Sequence, residues 1–505
     1  MHINYTNGYY DGSVDAYNEP DGYGKMVYSN GDSYEGYYSH GHVNGRGKYV
    51  WASGTYYDGN WSNGIKNGYG KETFDNGSYY EGNYVNGDFH GKGRFIYATK
   101  TYYDGDWRNG KKNGYGKETF DNGYYVGEYL NDARHGNGKY TYSDNTYYEG
   151  EWRDNKKNGQ GKETYDSGSY YVGAFVNGVR HGKGRFTWND GSYYEGDFAN
   201  NDFNGKGKRV NANGTSYEGD WRDDKKNGYG KETYKDGDYY EGYFVDNVRH
   251  GKGKYVWGEN NYYEGDFVNG DFTGKGKRVY GKGKYYEGNW LSDKKHGYGK
   301  EVFEDGSYYE GNYADNVRHG KGKYVWSATN YYEGEFLNGD FNGKGKRVYE
   351  DGTSYDGEWR NDTKNGYGKE TYKDGDYYEG EFVNNARHGK GKYVWSATSY
   401  YEGEFANGDF NGKGRRVYDD GTYYDGEWRN DVKTGYGMET YNDDSYYEGE
   451  FVGNNRHGKG KYTWSDGGCY EGEFSNGEFH GKGKYTYPDG RYYEGEWING
   501  KYNDN

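Results

Sequence analysis

Four features of this sequence have residue types and spacings that could support chemistry. The first is the segment 276–283, Gly-Lys-Arg-Val-Tyr-Gly-Lys-Gly, which nearly matches a phosphate-binding loop. It lacks the Ser or Thr that should follow the lysine, and its pattern places it across a strand and a turn instead of before a helix. We therefore interpret this segment as ordinary strand and turn.

The second feature is an Arg-His pair that recurs at a constant interval and could suggest a metal site or an acid–base pair. Each copy supplies one histidine, and the copies lie far apart along the chain, so we favour solvated turn residues. A Phe recurs at the corresponding turn of another repeat. We keep both sets as candidate partner-contact turns. They are Arg180, His181, Arg249, His250, Arg318, His319, Arg387, His388, Arg456 and His457, with Phe203, Phe272, Phe341, Phe410 and Phe479.

The remaining two features are carboxylates and a cysteine. Glu402 and Glu404, in Tyr-Glu-Gly-Glu, resemble a paired acid site, but the motif recurs in most repeats opposite lysines. We interpret these residues as charges along a strand ladder. Cys469 occupies a position where neighbouring copies have Tyr, which indicates a strand residue and not a nucleophile. The sequence thus predicts no catalytic residue, cofactor or metal, and no enzyme.

These residues sit within a tandem repeat. The triplet 401–403 (Tyr-Glu-Gly) returns as 424–426 (Tyr-Asp-Gly), and such triplets run from 10–12 to 493–495 in 22 copies. Groups of three units form 69-residue cassettes, clearest from about residue 150 onward. We expect one tandem-repeat domain over residues 1–505 that ends in a polar tail, 501–505.

The unit has the period of two that is typical of a half-buried strand. Tyr401, Gly403 and Phe405 share one face, and Glu402 and Glu404 share the other. The dipeptide Asn-Gly at 407–408 favours a tight hairpin turn. Each unit is therefore strand, turn, strand, turn. We predict an all-β fold, an elongated single-layer antiparallel β-hairpin repeat that forms a solenoid-like twisted ribbon.

Glycine within a strand normally weakens it, yet here glycine and aromatic residues share a face. A Tyr or Trp ring can lie flat over a neighbouring glycine because no Cβ blocks it. A single sheet then buries apolar area on its own face. The 74 Tyr and 14 Trp supply that area at fixed positions.

The pattern Tyr-Glu-Gly-Glu-Phe/Trp, then Asn-Gly, then His-Gly-Lys-Gly resembles the MORN (membrane occupation and recognition nexus) repeat, and the resemblance covers almost the whole chain. It implies an elongated single-layer β-repeat sheet and a scaffold. Some members of the family are dimeric, and some are found at membranes or cytoskeletal structures. Some relatives join the repeats to an enzyme domain, for which this chain has no room.

Composition narrows the function classes. The net charge of −16 speaks against nucleic acid and against simple docking on anionic lipid. A single cysteine excludes an intrachain disulfide and favours a reducing compartment. We see neither a signal peptide nor a membrane-spanning stretch, so we expect an intracellular, cytoplasmic protein.

Two functions stay open. We favour a structural scaffold that binds protein along its aromatic face or its edges, including a second copy of itself in a lateral dimer. A monomer whose rings pack flat on their own glycines is the alternative to self-assembly. The alternative function is a peripheral membrane or phospholipid-associated recognition module, whose Lys and Arg-His turns would face lipid.

Overall fold

The computed structural model describes residues 1–503 and shows two compact units, Met1–Val248 and a second that starts at Arg249. Both units consist of β-strands, and no helix occurs within residues 1–503. In each unit, every strand pairs antiparallel with the strand that follows it in sequence. The predicted all-β hairpin repeat is confirmed.

The strands of the first unit are β1 (His2–Tyr5), β2 (Gly8–Val14), β3 (Pro20–Tyr28), β4 (Ser33–Ser39), β5 (His42–Val50), β6 (Tyr56–Ser62), β7 (Ile65–Thr73), β8 (Tyr79–Val85), β9 (Asp88–Ile96), β10 (Tyr102–Arg108), β11 (Lys111–Phe120), β12 (Gly123–Leu130), β13 (Ala133–Tyr142), β14 (Tyr147–Arg153), β15 (Lys156–Thr164), β16 (Tyr170–Val176), β17 (Val179–Thr187), β18 (Tyr193–Ala199), β19 (Asp202–Val210), β20 (Ser216–Arg222), β21 (Lys225–Thr233) and β22 (Tyr239–Val245).

The strands of the second unit are β23 (Val248–Val256), whose first residue belongs to the first unit, β24 (Tyr262–Val268), β25 (Asp271–Gly281), β26 (Lys284–Leu291), β27 (Lys294–Val302), β28 (Tyr308–Ala314), β29 (Val317–Ser327), β30 (Asn330–Leu337), β31 (Asp340–Val348), β32 (Ser354–Arg360), β33 (Thr363–Thr371), β34 (Tyr377–Val383), β35 (Ala386–Val394), β36 (Tyr400–Ala406), β37 (Asp409–Val417), β38 (Tyr423–Arg429), β39 (Val432–Thr440), β40 (Tyr446–Val452), β41 (Asn455–Thr463), β42 (Cys469–Ser475), β43 (Glu478–Thr486), β44 (Tyr492–Ile498) and β45 (Lys501–Asn503).

Each repeat is a short strand followed by a longer one, as in β36 and β37 with 7 and 9 residues. In this hairpin Phe405 lies opposite Phe410, and Gly403 lies opposite Gly414. The register shifts between Gly403 and Glu404 because the longer strand accommodates extra residues as a bulge. Because of this bulge, the second strand has 9 residues where its partner has 7.

The two turns of the repeat follow their local sequence. Asn407 and Gly408 have φ angles of 52° and 100°, as a type I′ hairpin turn requires. In the other turn, the amide of Gly421 donates to the carbonyl of Tyr418 at 3.0 Å, and Gly421 has a φ of 87°. The hydroxyl of Thr422 donates to Asp420 Oδ1 at 2.7 Å and stabilises this loop.

The core of each unit is one face of its sheet. Tyr401 is 0% exposed and Phe405 3%, whereas Glu402 and Glu404 of the same strand are exposed. We call the two sides the aromatic face, defined by Tyr401, Gly403 and Phe405 and their repeat equivalents, and the charged face, defined by Glu402 and its equivalents. The alternation predicted from the sequence is confirmed.

The segment predicted as a polar tail, residues 501–505, is partly a strand. Lys501 pairs with Ile498, and Tyr502 pairs with Trp497. Asp504 and Asn505 lie outside the described residues.

Candidate functional site

The site is built on a tyrosine that covers two glycines. A Cβ placed on Gly414 would overlap the ring of Tyr401, and one placed on Gly403 would lie 2.6 Å from its hydroxyl oxygen. Because Gly403 and Gly414 are cross-strand partners, one ring covers both. The predicted cover of glycine by aromatic rings is confirmed. Tyr401 and its repeat equivalents, which we call the marker tyrosines, are buried from Tyr10 to Tyr470, whereas Tyr493 of the last repeat is 50% exposed.

The first glycine of each Gly-x-Gly has a different role, which the sequence analysis missed. Gly412 lies in the bulge with a φ of 62°, and a Cβ there would overlap the carboxylate of Glu404. This left-handed conformation favours glycine. A glycine two positions before the ring-covered one in almost every repeat was the available signal.

From about residue 150 onward, the second residue of the longer strand changes in type from one repeat to the next, and the same type returns every three repeats. This position holds Lys364 in β33, Arg387 in β35 and Phe410 in β37. The predicted partner-contact residues therefore lie in strands and not in the turns themselves. The phenylalanines stack on marker tyrosines, as Phe410 does on Tyr401 with ring centroids 3.8 Å apart and planes 10° apart.

The other four phenylalanines of this set make the same stack. Their centroid separations are 3.8 Å for Phe203 on Tyr194, 3.8 Å for Phe272 on Tyr263, 3.8 Å for Phe341 on Tyr332 and 3.9 Å for Phe479 on Tyr470. The phenylalanine at this position thus adds a second layer of ring on the aromatic face, stacked on its tyrosine.

The arginines of the Arg-His pairs also lie on the aromatic face. The guanidinium of Arg387 lies 5.0 Å from the ring centroid of Tyr393 and 5.8 Å from that of Phe405. Arg180, Arg249, Arg318 and Arg456 lie 4.3 to 5.1 Å from the equivalent rings. The histidines that follow them point to the charged face: His181 and His319 are exposed, and His250, His388 and His457 are half-buried.

The lysine at this position, Lys364 in β33, is neutralised within its own strand. Lys364 forms an ion pair with Glu370, and the two side chains are only 12% and 13% exposed. The hydroxyl of Tyr372 donates to the second oxygen of Glu370 at 2.8 Å. This buried pair contributes no net charge to the aromatic face.

A second arginine lies at the far end of the longer strand and was not singled out from the sequence. In β37 the guanidinium of Arg416 lies 3.7 Å from the ring of Trp395 and 4.8 Å from that of Tyr418. We call this arrangement a Trp–Arg–Tyr stack. The second unit contains two more: Trp326–Arg347–Tyr349, at 4.1 and 4.5 Å, and Trp257–Arg278–Tyr280, at 3.9 and 4.9 Å.

The stacked arginines are half-buried and lack a carboxylate partner. Within residues 1–503, no Asp or Glu oxygen lies within 4.0 Å of Arg278, Arg347 or Arg416. Burial lowers the pKa of Arg416, while the nearby Tyr418 and Asp419 oppose that shift. The available signal was an Arg at the same place in every third repeat, each preceded at a constant spacing by a Trp.

On the charged face, unlike at the stacked arginines, the charged side chains form ion pairs with one another. Lys392 Nζ lies 3.0 Å from Glu402 and also 4.0 Å from the ring of Tyr400. In the first unit this face lines an open groove of about 1150 Å³, where Lys208 pairs with Glu218 at 3.2 Å. The interpretation of the Tyr-Glu-Gly-Glu carboxylates as ladder charges is confirmed.

The other sequence features occupy ordinary structural positions. Gly276 lies in β25, Gly281 ends that strand and Gly283 lies in the next turn, with φ angles of 89° and 79° for the last two, and strand β26 follows instead of a helix. Cys469 begins β42 between Thr463 and Thr486 and is half-buried. Within the described residues, no group of three His, Cys, Asp or Glu side chains could hold a metal.

A family model described as the MORN repeat matches nearly every unit of this architecture. The chain belongs to the MORN repeat family. The matched segments are residues 10–33, 34–56, 57–79, 80–102, 103–123, 125–147, 148–170, 171–193, 194–216, 217–239, 240–262, 263–285, 286–308, 309–329, 332–354, 355–377, 378–397, 401–423, 424–446, 447–469, 470–490 and 493–503. The resemblance inferred from the sequence, with about 22 copies, is confirmed.

Comparison of this MORN repeat chain with solved structures gives partial overlaps at low identity. The TCP domain of SAS-4 (dCPAP) from Drosophila melanogaster, in complex with a proline-rich motif of Ana2 (dSTIL), is 14% identical, with a TM-score of 0.21 over 30% of this chain and 83% of that one. The TCP10 domain of Danio rerio CPAP is 11% identical, with a TM-score of 0.20 over 44% and 94%.

A catalytically inactive virginiamycin B lyase from Staphylococcus aureus, with quinupristin, is 10% identical, with a TM-score of 0.11 over 62% of this chain and 94% of that one. Overlaps this small carry no inference about the function of the MORN repeats. The comparison with curated proteins returned no match. Within residues 1–503, the MORN repeat chain has no helix that is long and apolar enough to cross a membrane.

Proposed function

We propose that this MORN repeat protein is a non-catalytic, cytoplasmic scaffold that assembles with other proteins through its aromatic face. The observation that carries the proposal is a band of half-buried rings at the far ends of the longer strands. In one cassette the band comprises Tyr372, Tyr393, Trp395 and Tyr418. Tyr372 and Tyr393 stack at 5.8 Å, and Tyr393 contacts Trp395 at 4.5 Å.

This band, and not the marker tyrosines, is the aromatic area that a partner would meet. Tyr401 is 0% exposed under its own repeat, so a partner gains little by covering it. Tyr, Trp and Arg are the residues enriched at the energetic centres of protein interfaces. Arg387, Phe410 and their equivalents in the other cassettes border the band on the same face. We propose both sets of residues as partner contacts.

Site-specific photocrosslinking tests which face assembles with protein. A photoreactive phenylalanine analogue at Tyr393 or Tyr324 reports on the aromatic face, and the same analogue at Tyr400 or Tyr331 reports on the charged face. All four positions are half-buried tyrosines. We expect one common protein adduct from the first two positions and none from the matched pair. Equal adducts from both pairs would contradict the proposal.

Two further measurements test the alternatives to binding another protein, which are self-association and membrane binding. A lateral dimer of the chain would raise the mass measured by light scattering above 58.2 kDa as the concentration increases. The membrane alternative predicts flotation with vesicles that contain phosphoinositides. We expect no flotation, because the exposed turn carboxylates and the net charge of −16 oppose an anionic surface.

A further inference from the structure

The Trp–Arg–Tyr stacks present unused hydrogen-bond donors. In the stacks of the second unit, the guanidinium bonds within the protein all come from Nη1: Arg416 Nη1 donates to Ser399 Oγ at 2.8 Å, and Arg347 Nη1 donates to the carbonyl of Tyr331 at 3.0 Å. Arg278 Nη1 likewise donates to the carbonyl of Val279 at 3.0 Å. Within residues 1–503, Nε and Nη2 of these three arginines donate no hydrogen bond.

The Nε–Nη2 edge of a guanidinium matches the two oxygens of a carboxylate in a bidentate pair. Here each guanidinium lies 3.7 to 4.9 Å from the ring centroids of a Trp and a Tyr, and Nη1 is hydrogen-bonded to the protein, so the edge is fixed in advance. A ligand therefore gains a charge-assisted pair without having to immobilise a flexible side chain.

Charge makes the aromatic face of the second unit complementary to an acidic ligand. In the cassette from Tyr355 to Thr422, the charged strand side chains on this face are Lys364, Glu370, Arg387 and Arg416. The lysine and glutamate neutralise each other, which leaves two arginines without an ionic partner. The strand side chains of this face thus carry a net positive charge in a chain whose net charge is −16, and the acids of this edge lie in the turns.

We propose that the three Trp–Arg–Tyr stacks of the second unit bind side-chain carboxylates of an extended acidic polypeptide. This proposal rests on the scaffold function above and names the chemistry of the partner. Successive stacks lie six strands apart, on β25, β31 and β37. At about 4.8 Å per strand that is roughly 29 Å, which an extended chain spans in about 8–9 residues. The partner therefore carries acidic residues at roughly that spacing.

A bilayer fits this surface less well than a polypeptide does. The exposed acids Asp419 and Asp420 follow Arg416, and Glu350 and Asp351 follow Arg347, at the same edge of the sheet. An extended anionic membrane would meet these turns as well as the half-buried guanidinium groups. A thin polypeptide can lie inside the turns and contact the arginines alone.

The test uses the full chain and a fluorescent oligoglutamate of about 20 residues, long enough to reach three stacks. The test variant carries Arg278→Gln, Arg347→Gln and Arg416→Gln. Its control carries Lys277→Gln, Lys346→Gln and Arg415→Gln, which remove the same charge from the adjacent residues of the same strands. Lys277 pairs with Glu287 on the charged face.

We expect the test variant to bind the peptide at least about tenfold more weakly than the unmodified chain, and the control to change affinity less than about twofold. Replacing the three arginines with lysine should weaken binding nearly as much as replacing them with glutamine, because the lysine ammonium cannot form the planar bidentate pair. Circular dichroism checks the fold. If the triple variant is unfolded, each single Arg→Gln variant is compared with its own neighbour control.

Equal loss in the test variant and its control would show non-specific attraction and overturn the proposal, as would no binding of oligoglutamate to the unmodified chain. Binding of inorganic phosphate or phosphatidylserine vesicles through the same arginines, without peptide binding, would overturn it in favour of a phosphate ligand. A protein adduct at Tyr393 together with any of these results would leave the scaffold function standing and reject only the acidic partner.

Discussion

The hydroxyl of Tyr401 donates a hydrogen bond to the main-chain carbonyl of Glu404, in the same strand, at 3.0 Å. The bond lies where the register shifts, so the ring that covers Gly403 and Gly414 also ties down the start of the bulge. Equivalent bonds join Tyr194 to Asp197 and Tyr332 to Glu335, both at 2.9 Å. This is a physical reason for tyrosine instead of phenylalanine at the marker position.

Replacing Tyr401 with Phe should keep the cover over the glycines and remove this bond. We expect a local destabilisation of about 0.5–1.5 kcal/mol, the net worth of a typical hydrogen bond. Hydrogen exchange of the β36 and β37 amides measures it. Tyr400→Phe is the matched control on the charged face, and an equal effect there would show that the bond to Glu404 does not matter.

Replacing Gly403 with Val should damage the repeat far more than replacing Glu402 with Ala. The valine Cβ would collide with the Gly414 backbone and the Tyr401 hydroxyl, and overpacking of this kind costs about 1–3 kcal/mol or more. Glu402 loses an exposed pair with Lys392, worth about 0.2–1 kcal/mol.

The effect of Gly403→Val should stay within neighbouring repeats, because a repeat array has mostly nearest-neighbour contacts. Hydrogen exchange resolved along the chain distinguishes local from global loss. Greater damage from Glu402→Ala would show that the assignment of the two faces is wrong.

Replacing Lys364 with Met should strongly destabilise its repeat, because it leaves Glu370 buried and without its ionic partner. Breaking a buried pair from one side costs about 3–5 kcal/mol. Adding Glu370→Gln to Lys364→Met should recover much of the loss. The control is Lys392→Met, at a side chain that is 40% exposed and paired on the charged face. A loss in the control as large as in Lys364→Met would refute the distinction between the two pairs.

The protein should unfold at alkaline pH through its buried tyrosines. Burial raises the pKa of Tyr470 and of Tyr171 from 10.0 to about 12, with nearby Glu473 adding to the effect at Tyr470. The folded state therefore holds these protons more tightly than the unfolded state. Their stabilisation is complete below pH 10.0 and is lost as the pH rises to about 12.

Circular dichroism and the ultraviolet absorbance of tyrosinate, followed together across this range, test the prediction. We expect strand signal to disappear as the buried tyrosines ionise. Ionisation of every tyrosine before any strand signal is lost would contradict it, since the buried rings would then be ionising without unfolding.

Much of the fold could be predicted because the information is local. Alternation within residues 400–406 assigns Tyr401 and Phe405 to one face, and Asn407-Gly408 specifies the turn by its positive φ angles. The candidate partner residues were placed less well. Arg387 and Phe410 lie two residues after turns in sequence, but the bulge and the longer strand place their side chains over the rings of the aromatic face.

By itself, the sequence determined a MORN array of antiparallel hairpins with an aromatic and a charged face, because strand period and turn chemistry recur in every unit. Only the tertiary structure decided which charges are neutralised. Lys364 meets Glu370 within one strand. Arg416 of β37 instead meets Trp395, which directly follows β35, because two successive pairings align β35, β36 and β37. The contact of Arg416 with Trp395 depends on register across strands, which no local pattern encodes.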